Sequence, residues 1–348
     1  MRRRGLVALG GVATLAACAI GRGGSVYYGG PVTAHFDGSR FRNPDGLPPR
    51  GFGDLLRWQF GDGKVAWPES HPSPFPPDHP PGGSRGLRVS MVGHASLLIQ
   101  GGGLNILTDP VWSERASPLS FTGPKRVNPP GIGFDDLPPI HAALVSHAHY
   151  DHLDVATLGR LWARHRPRII APLGNDAIIR ASVPEAEVTA ADWGDTVALG
   201  EARVHCVPVH HWSARGVLDR NHALWCGFVI EGVGGRVFFA GDTGFDGGRP
   251  FREAASRHGA PDLALLPIGA YAPRWFMAPQ HMDPADAVRG MGLLGARQAL
   301  GYHWGTFRLT DEGVEDPARE LAAALAAEGI AAARFLAMRP GQVWRPTA

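Results

Sequence analysis

The chain has 348 residues and a formal net charge of +2; hydrophobic residues make up 44% and charged residues 19%. That length fits one large domain or two small ones, and the composition supports a sizeable core, so disorder is not the default. The net charge is too small to argue for a nucleic-acid surface, and three cysteines, Cys18, Cys206 and Cys226, exclude a disulfide framework.

Met1-Arg2-Arg3-Arg4 followed by the apolar run 5–17 reads as an export signal, basic first and then apolar over too short a span to cross a bilayer. Its end, Leu15-Ala16-Ala17-Cys18, resembles the lipobox of bacterial lipoproteins, in which the cysteine is acylated and becomes the mature N-terminus. Residues 1–18 are therefore expected to be a lipoprotein signal peptide. Ala19 follows Cys18 where a retained inner-membrane protein often has aspartate. The expected location is the cell envelope, lipid-anchored at the outer membrane and facing the periplasm.

Residues 19–86 differ in kind. Pro68, Pro72, Pro74, Pro76, Pro77, Pro80 and Pro81 crowd the second half and favour extended or polyproline II backbone. Ahead of them, residues 52–60 predict a short helix carrying Leu55, Leu56, Trp58 and Phe60. The segment reads as a Pro-rich N-terminal tether that lies over the next domain or spaces it from a membrane.

From Leu87 the rhythm changes. Residues 87–92, 95–99 and 104–108 predict successive strands with Gly101-Gly102-Gly103 as a turn. The triple glycine lacks the lysine and the following helix of a phosphate loop. Residues 112–130 form a long glycine- and proline-bearing loop that could border a substrate groove. Residues 142–145 predict a buried strand, Asp154 caps a helix to about His165, and 168–171 predict the next strand. Later strands are expected at 204–209, 236–240 and 298–302, and helices start at Asp283-Pro284 and Asp316-Pro317. Periodicity alone gives mixed α and β. Cys206 and Cys226 sit in apolar runs as buried thiols, able to form a disulfide only if their strands are neighbours.

The densest chemistry is Ser146-His147-Ala148-His149-Tyr150-Asp151-His152-Leu153-Asp154, directly after the run 142–145. Neutral ring nitrogens and a hard carboxylate oxygen at the end of a strand suit a divalent ion. A solvated loop is the ordinary reading of one histidine, but not of this density. One loop does not readily close a metal site, and three later runs also end in ligating residues: His210-His211-Trp212, Gly241-Asp242-Thr243-Gly244 and His303-Trp304-Gly305. Four such strand ends describe two metals better than one, the ions of dinuclear sites lying roughly 3.5–4 Å apart.

His-x-His-x-Asp-His at 147–152 with the later histidines and aspartate resembles the metallo-β-lactamase superfamily. Longer stretches resemble its N-acyl-phosphatidylethanolamine-hydrolysing phospholipase D branch. These are Met91-Val92-Gly93-His94-Ala95-Ser96, Leu107-Thr108-Asp109-Pro110, Arg115-Ala116-Ser117-Pro118, Gly123-Pro124-Lys125-Arg126, Pro267-Ile268-Gly269-Ala270-Tyr271, Pro273-Arg274-Trp275-Phe276-Met277 and His303-Trp304-Gly305-Thr306-Phe307. The resemblance implies an α/β fold, a four-layer αββα sandwich, with residues 87–348 as the hydrolase domain.

It also implies two divalent metal ions, zinc first. His147, His149 and His211 would hold one, Asp151, His152 and His303 the other, and Asp242 would bridge them. The family's ligand stands immediately before the tryptophan, which selects His211 over His210. His94 is expected to be structural, orienting the site through hydrogen bonds. Asp151 and Asp242 also count as catalytic. His281, in Pro279-Gln280-His281-Met282, matches a histidine that the family places near the metals. It is either a general acid or phosphate-positioning group, or a mere flank of the helix that follows; Gln280 is a weaker candidate for the same pocket. Arg115, Lys125 and Arg126 could hold a charged headgroup or form a solvated loop edge. The implied activity is phospholipase D-type hydrolysis of N-acyl-phosphatidylethanolamine-like lipids by a hydroxide between the metals, with a phospholipid at a membrane surface as partner and no nucleic acid. A metal-dependent lactonase or soluble phosphate-ester hydrolase is the alternative enzyme. A non-catalytic envelope scaffold is the alternative of another class, and the intact ligand set counts against it.

Overall fold

The computed structural model of the chain describes residues 24–46 and 50–346; the expected export signal and Cys18 lie outside the described residues. After a short helix, α1 (Phe52–Gln59), the strands β1 (Arg88–Gly93), β2 (Ser96–Gly101) and β3 (Leu104–Thr108) form an antiparallel meander. β4 (Ala142–Leu144), β5 (Arg168–Pro172) and β6 (Val188–Ala191) extend it in parallel, with α2 (Val155–His165) and α3 (Asn175–Ser182) making the crossovers.

The second half repeats the plan. β7 (Thr196–Leu199), β8 (Ala202–Val207), β9 (Gly227–Glu231) and β10 (Val237–Phe239) are antiparallel. β11 (Leu263–Pro267), β12 (Gln298–Tyr302) and β13 (Phe335–Ala337) follow in parallel. The helices α4 (Arg249–His258), α5 (Arg274–Met277), α6 (Pro284–Leu294) and α7 (Asp316–Ala327) connect them. β14 (Val343–Trp344) returns to pair with β1. The two sheets thus run β14-β1-β2-β3-β4-β5-β6 and β13-β12-β11-β10-β9-β8-β7.

Three apolar layers hold these elements. Val89, Met91, Leu97 and Ile99 face Cys206, Phe228, Phe239 and Tyr302 between the sheets. Leu98 and Leu107 pack outward onto Leu158, Leu161 and Ile179 of the helices on the first sheet. Val229 and Phe238 pack outward onto Phe251, Val288, Met291 and Leu321 on the second. This is the expected αββα sandwich. Because both faces of each sheet are covered, β1 and β2 are buried at every position and show no alternation. Each fully buried Leu, Ile or Phe contributes about 1.5–3 kcal/mol before conformational entropy is counted.

The triple glycine is a close-approach device. A Cβ at Gly101 would lie 1.8 Å from the Val233 carbonyl oxygen, and one at Gly102, where φ is +59°, 2.2 Å from that of Gly232. The β2–β3 turn therefore presses on the β9–β10 turn of the opposite sheet. Asp154 caps α2 as its sequence predicts, accepting from the N–H groups of Ala156 and Thr157. At α7 the cap is Glu315 instead, because Asp316 is drawn into accepting from the Gly313 N–H. β8 and β9 are neighbours with Cys206 opposite Phe228, and both cysteines are buried free thiols.

Residues 24–46 and 50–86 run over the surface of the sandwich. Phe36 and Phe41 are buried against Val209, Leu224 and Trp225. Trp58 stacks on Phe276 and donates to Asp311. His71 bonds Glu315 at 2.5 Å, and Asp78 pairs with the buried Arg88 at 2.6 Å. Among the described residues no helix is long and apolar enough to cross a membrane.

Candidate metal centre

Strands that run in the same direction end at the same rim, and here the ends of four strands meet. The loop after β4 carries His147, His149, Asp151 and His152; His211 follows β8, Asp242 follows β10 and His303 follows β12. All seven, with His94 and His281, are drawn into one cluster. Four groups within it have their ligand atoms within 4.8 Å of one another: His94-Asp151-His152-His303, His147-His149-His211, His147-His152-Asp242 and His211-Asp242-His281.

His149 Nδ1 lies 2.8 Å from His147 Nε2 and 3.4 Å from His211 Nε2. One proton can serve only part of this trio, whereas a cation between the three nitrogens would satisfy all of them. On the other side, His152 Nε2 and His303 Nε2 each lie 3.4 Å from Asp151 Oδ2 and 3.1 Å from each other. Asp242 Oδ2 sits between the two sets, 3.1 Å from His303, 3.3 Å from His152, 3.7 Å from His211 and 4.0 Å from His147. Asp242 Oδ1 and His281 Nδ1 are buried and have no hydrogen-bond partner. Oxygen and nitrogen donors of this kind fit a divalent transition ion such as zinc.

Burial sets the charges. It pushes His147 and His211 well below the ordinary histidine range and His149 to about 4, so these three imidazoles are neutral near pH 7. Burial acts the same way on His303 and His152, but Asp242 and Asp151 beside them reverse it; His303 rises to about 9 and His152 well above its ordinary value. For Asp242, burial opposes ionisation, yet His303 and His152 hold the carboxyl well below its usual range.

The supports are as ordered as the donors. His152 Nδ1 donates to Asp109 Oδ2 at 2.6 Å, and Asp109 is itself fixed by the Ser146 N–H and hydroxyl. His147 Nδ1 bonds Ser146 Oγ at 2.9 Å, and His211 Nδ1 donates to the Gln280 carbonyl oxygen at 2.9 Å. His94 Nε2 donates to Asp151 Oδ2 at 2.9 Å, the orienting contact expected of it. Positive φ at His94, Asp109 and His303 marks strained backbone concentrated here. Gly241 lets the Asp242 loop close in: a Cβ there would lie 2.8 Å from both the Cys226 carbonyl oxygen and Ser146 Cβ.

His210 points elsewhere, with Nδ1 3.4 Å from Asp246 Oδ2. His281 does reach the cluster, 3.8 Å from Asp242 Oδ2. Burial lowers it to about 4 although Asp242 pulls the other way, so it is a neutral imidazole. Arg115, Lys125 and Arg126 serve their own loop: Arg115 donates to the Gly123 carbonyl, Lys125 pairs with Glu114, and Arg126 donates to the carbonyls of Val111 and Ser113. Two supports carry no role in the sequence reading. Asp109 stands just after the predicted strand 104–108, much as the ligands follow theirs. Arg215 lies over the Tyr150 ring at 3.7 Å and donates to the Ala148 and Leu153 carbonyls, clamping the ligand loop.

Comparison with known proteins agrees with this geometry. Residues 104–304 match the Beta-lactamase superfamily domain. N-acyl-phosphatidylethanolamine-hydrolyzing phospholipase D 1 of Caenorhabditis elegans is 38% identical over 271 residues, covering 74% of this chain and 76% of that one. A metal-dependent hydrolase of Pyrobaculum islandicum is 28% identical, covering 74% of this chain and 100% of its own. An isothiocyanate hydrolase from Delia radicum gut bacteria shares the fold with a TM-score of 0.60 at 18% identity, covering 75% of this chain and 99% of that structure.

Proposed function

The chain belongs to the metallo-β-lactamase superfamily as a metal-dependent hydrolase, and from that premise we propose that it is a phosphodiesterase of the phospholipase D type. Its substrate is an N-acyl-phosphatidylethanolamine-like lipid, split into phosphatidic acid and an N-acylethanolamine. The observation that carries this reading is the convergence of seven donors in a chain 38% identical to a relative named for that activity. His147, His149 and His211 would hold one zinc ion, Asp151, His152 and His303 a second, and Asp242 stands between the two sets. Bound divalent ions supply an acidified water and neutralise charge at a phosphoryl group.

The protein's own groups do the rest. Asp242 stays ionised and Asp151 is oriented by His94, so the negative charge that retains cations is fixed before substrate arrives. His281 is buried with a free ring nitrogen beside Asp242. Being neutral, it acts as an N–H donor to the phosphoryl or leaving oxygen, which favours the positioning role over that of an imidazolium acid. Arg274 sets it in place by donating to the His281 carbonyl while pairing with the buried Asp286. We place the mature protein at the periplasmic face of the outer membrane, anchored through acylated Cys18, which would keep the site close to lipid.

The test is hydrolysis in ¹⁸O-water by the metal-loaded protein. Label in phosphatidic acid is the expected result. Turnover of an acylated lactone alone would move the chain to the lactonase reading, and label in a released fatty acid would put the attack at an acyl carbonyl.

A further inference from the structure

We propose that Arg220, seated on Trp212, is a second anion-recognition point of this site, so that the preferred substrate is a phosphodiester lipid whose headgroup carries a further oxyanion, most simply a carboxylate. The inference rests on the phosphodiesterase reading above, keeps its chemistry and extends its headgroup from ethanolamine to one that carries a carboxylate.

Trp212 follows the donor His211 directly, and its ring packs edge-on 4.4 Å from that of His149. On Trp212 lies the guanidinium of Arg220, 4.4 Å from the ring centroid. Both side chains are half-buried, so each reaches solvent. Arg220 therefore stands about one aromatic ring out from the donors that would hold a metal ion beside the scissile phosphate.

Unlike several arginines around the cluster, Arg220 has, among the described residues, no carbonyl or carboxylate to donate to. Arg215, Arg126, Arg274 and Arg249 each donate to carbonyls or carboxylates. Among the described residues Arg220 has the Trp212 face and no carboxylate, and its charged neighbour is another cation, Arg40. The stretches outside the described residues contain no Asp or Glu side chain that could pair with it. Nearby carboxylates are engaged: Asp219 accepts from Tyr27, Arg215 and Gly216, and Asp37 from Ser39 and Arg40. Burial and Arg40 both work against the charge, lowering its affinity for the proton. A half-buried guanidinium next to a like charge gains most from an incoming anion. Held by an aromatic face, it keeps its in-plane N–H donors for a carboxylate or phosphate.

An N-acylated ethanolamine headgroup carries no charge beyond its phosphodiester and leaves Arg220 idle. An N-acylated serine headgroup brings a carboxylate. The test uses two soluble phosphonate analogues, in which a methylene replaces the scissile oxygen: N-acetylated glycerophosphoserine and N-acetylated glycerophosphoethanolamine. Calorimetric titration of the metal-loaded full chain should show the serine analogue binding about tenfold tighter, and Arg220→Gln should erase that preference while moving the ethanolamine analogue by no more than about twofold. Arg220→Lys, which keeps the charge, should retain part of it. Equal binding of both analogues by the wild type, or a preference unchanged in Arg220→Gln, overturns the proposal. So does a dependence on Arg220 seen only with vesicles containing anionic lipid, which would make the recognised anion a neighbour in the membrane. If the serine preference follows Arg220 while no N-acyl phospholipid is hydrolysed, the anion site stands and the phosphodiesterase reading falls.

Discussion

His147, His149 and His211 meet without a carboxylate of their own, whereas Asp151, His152 and His303 include one and have a second, Asp109, behind them. The supports follow the same division. A hydroxyl and a backbone carbonyl hold the all-histidine half, while a buried carboxyl and His94 hold the acid-bearing half. Partners behind a ligand raise its basicity and fix its orientation, and a carboxyl does both more strongly than a neutral group. The acid-bearing half is thus the firmer anchor, and the all-histidine half the more exchangeable.

Removing the group that joins the halves has the largest expected effect. Asp242→Ala should lower kcat by roughly 10³-fold or more and reduce metal content, with circular dichroism unchanged. Activity within tenfold of wild type, by the same arithmetic, would mean the halves work independently. His281→Ala should cost roughly 10²-fold in kcat while elemental analysis finds the metal content unaltered; lost metal would make His281 a ligand of the all-histidine half. Asp109→Asn tests the asymmetry directly. Chelator competition should show one ion held roughly 10–100-fold more weakly and the other unchanged, and equal weakening of both would erase the distinction. Ser146→Ala removes a neutral hydrogen bond to His147 and one to Asp109, and should weaken binding by only about fivefold. A larger loss would show that the hydroxyl couples the halves.

The convergence of donors is legible in the sequence because each of four short segments begins where an apolar run stops, and strand ends in such a sandwich share one rim. β12 coincides with its predicted span of 298–302, and α2 with its cap at Asp154. The sandwich itself needs the family resemblance, since β1 and β2 are covered on both faces and lose the alternation that would announce a sheet. Arg215 is illegible for another reason. Its work is done on the carbonyls of Ala148 and Leu153, more than sixty residues away, and backbone acceptors leave no mark in side-chain pattern. Asp109 lies between these cases: its position after β3 is visible, but its bond to His152 exists only once β3 and β4 are side by side.

The covering segment has a bearing on how the chain is assembled. Ser25 binds His222, Trp58 binds Asp311 and His71 binds Glu315, across 197, 253 and 244 positions of sequence. What is synthesised first can therefore dock only after its partners in the second half of the chain have been made and folded. Closing such long loops is slow and goes unrewarded until the final contacts form. The seven prolines between Pro68 and Pro81 suit that wait. A stretch held extended by its own rings neither collapses onto the growing sheets nor pairs with their open edges, and it loses less conformational freedom when it is laid down at the end.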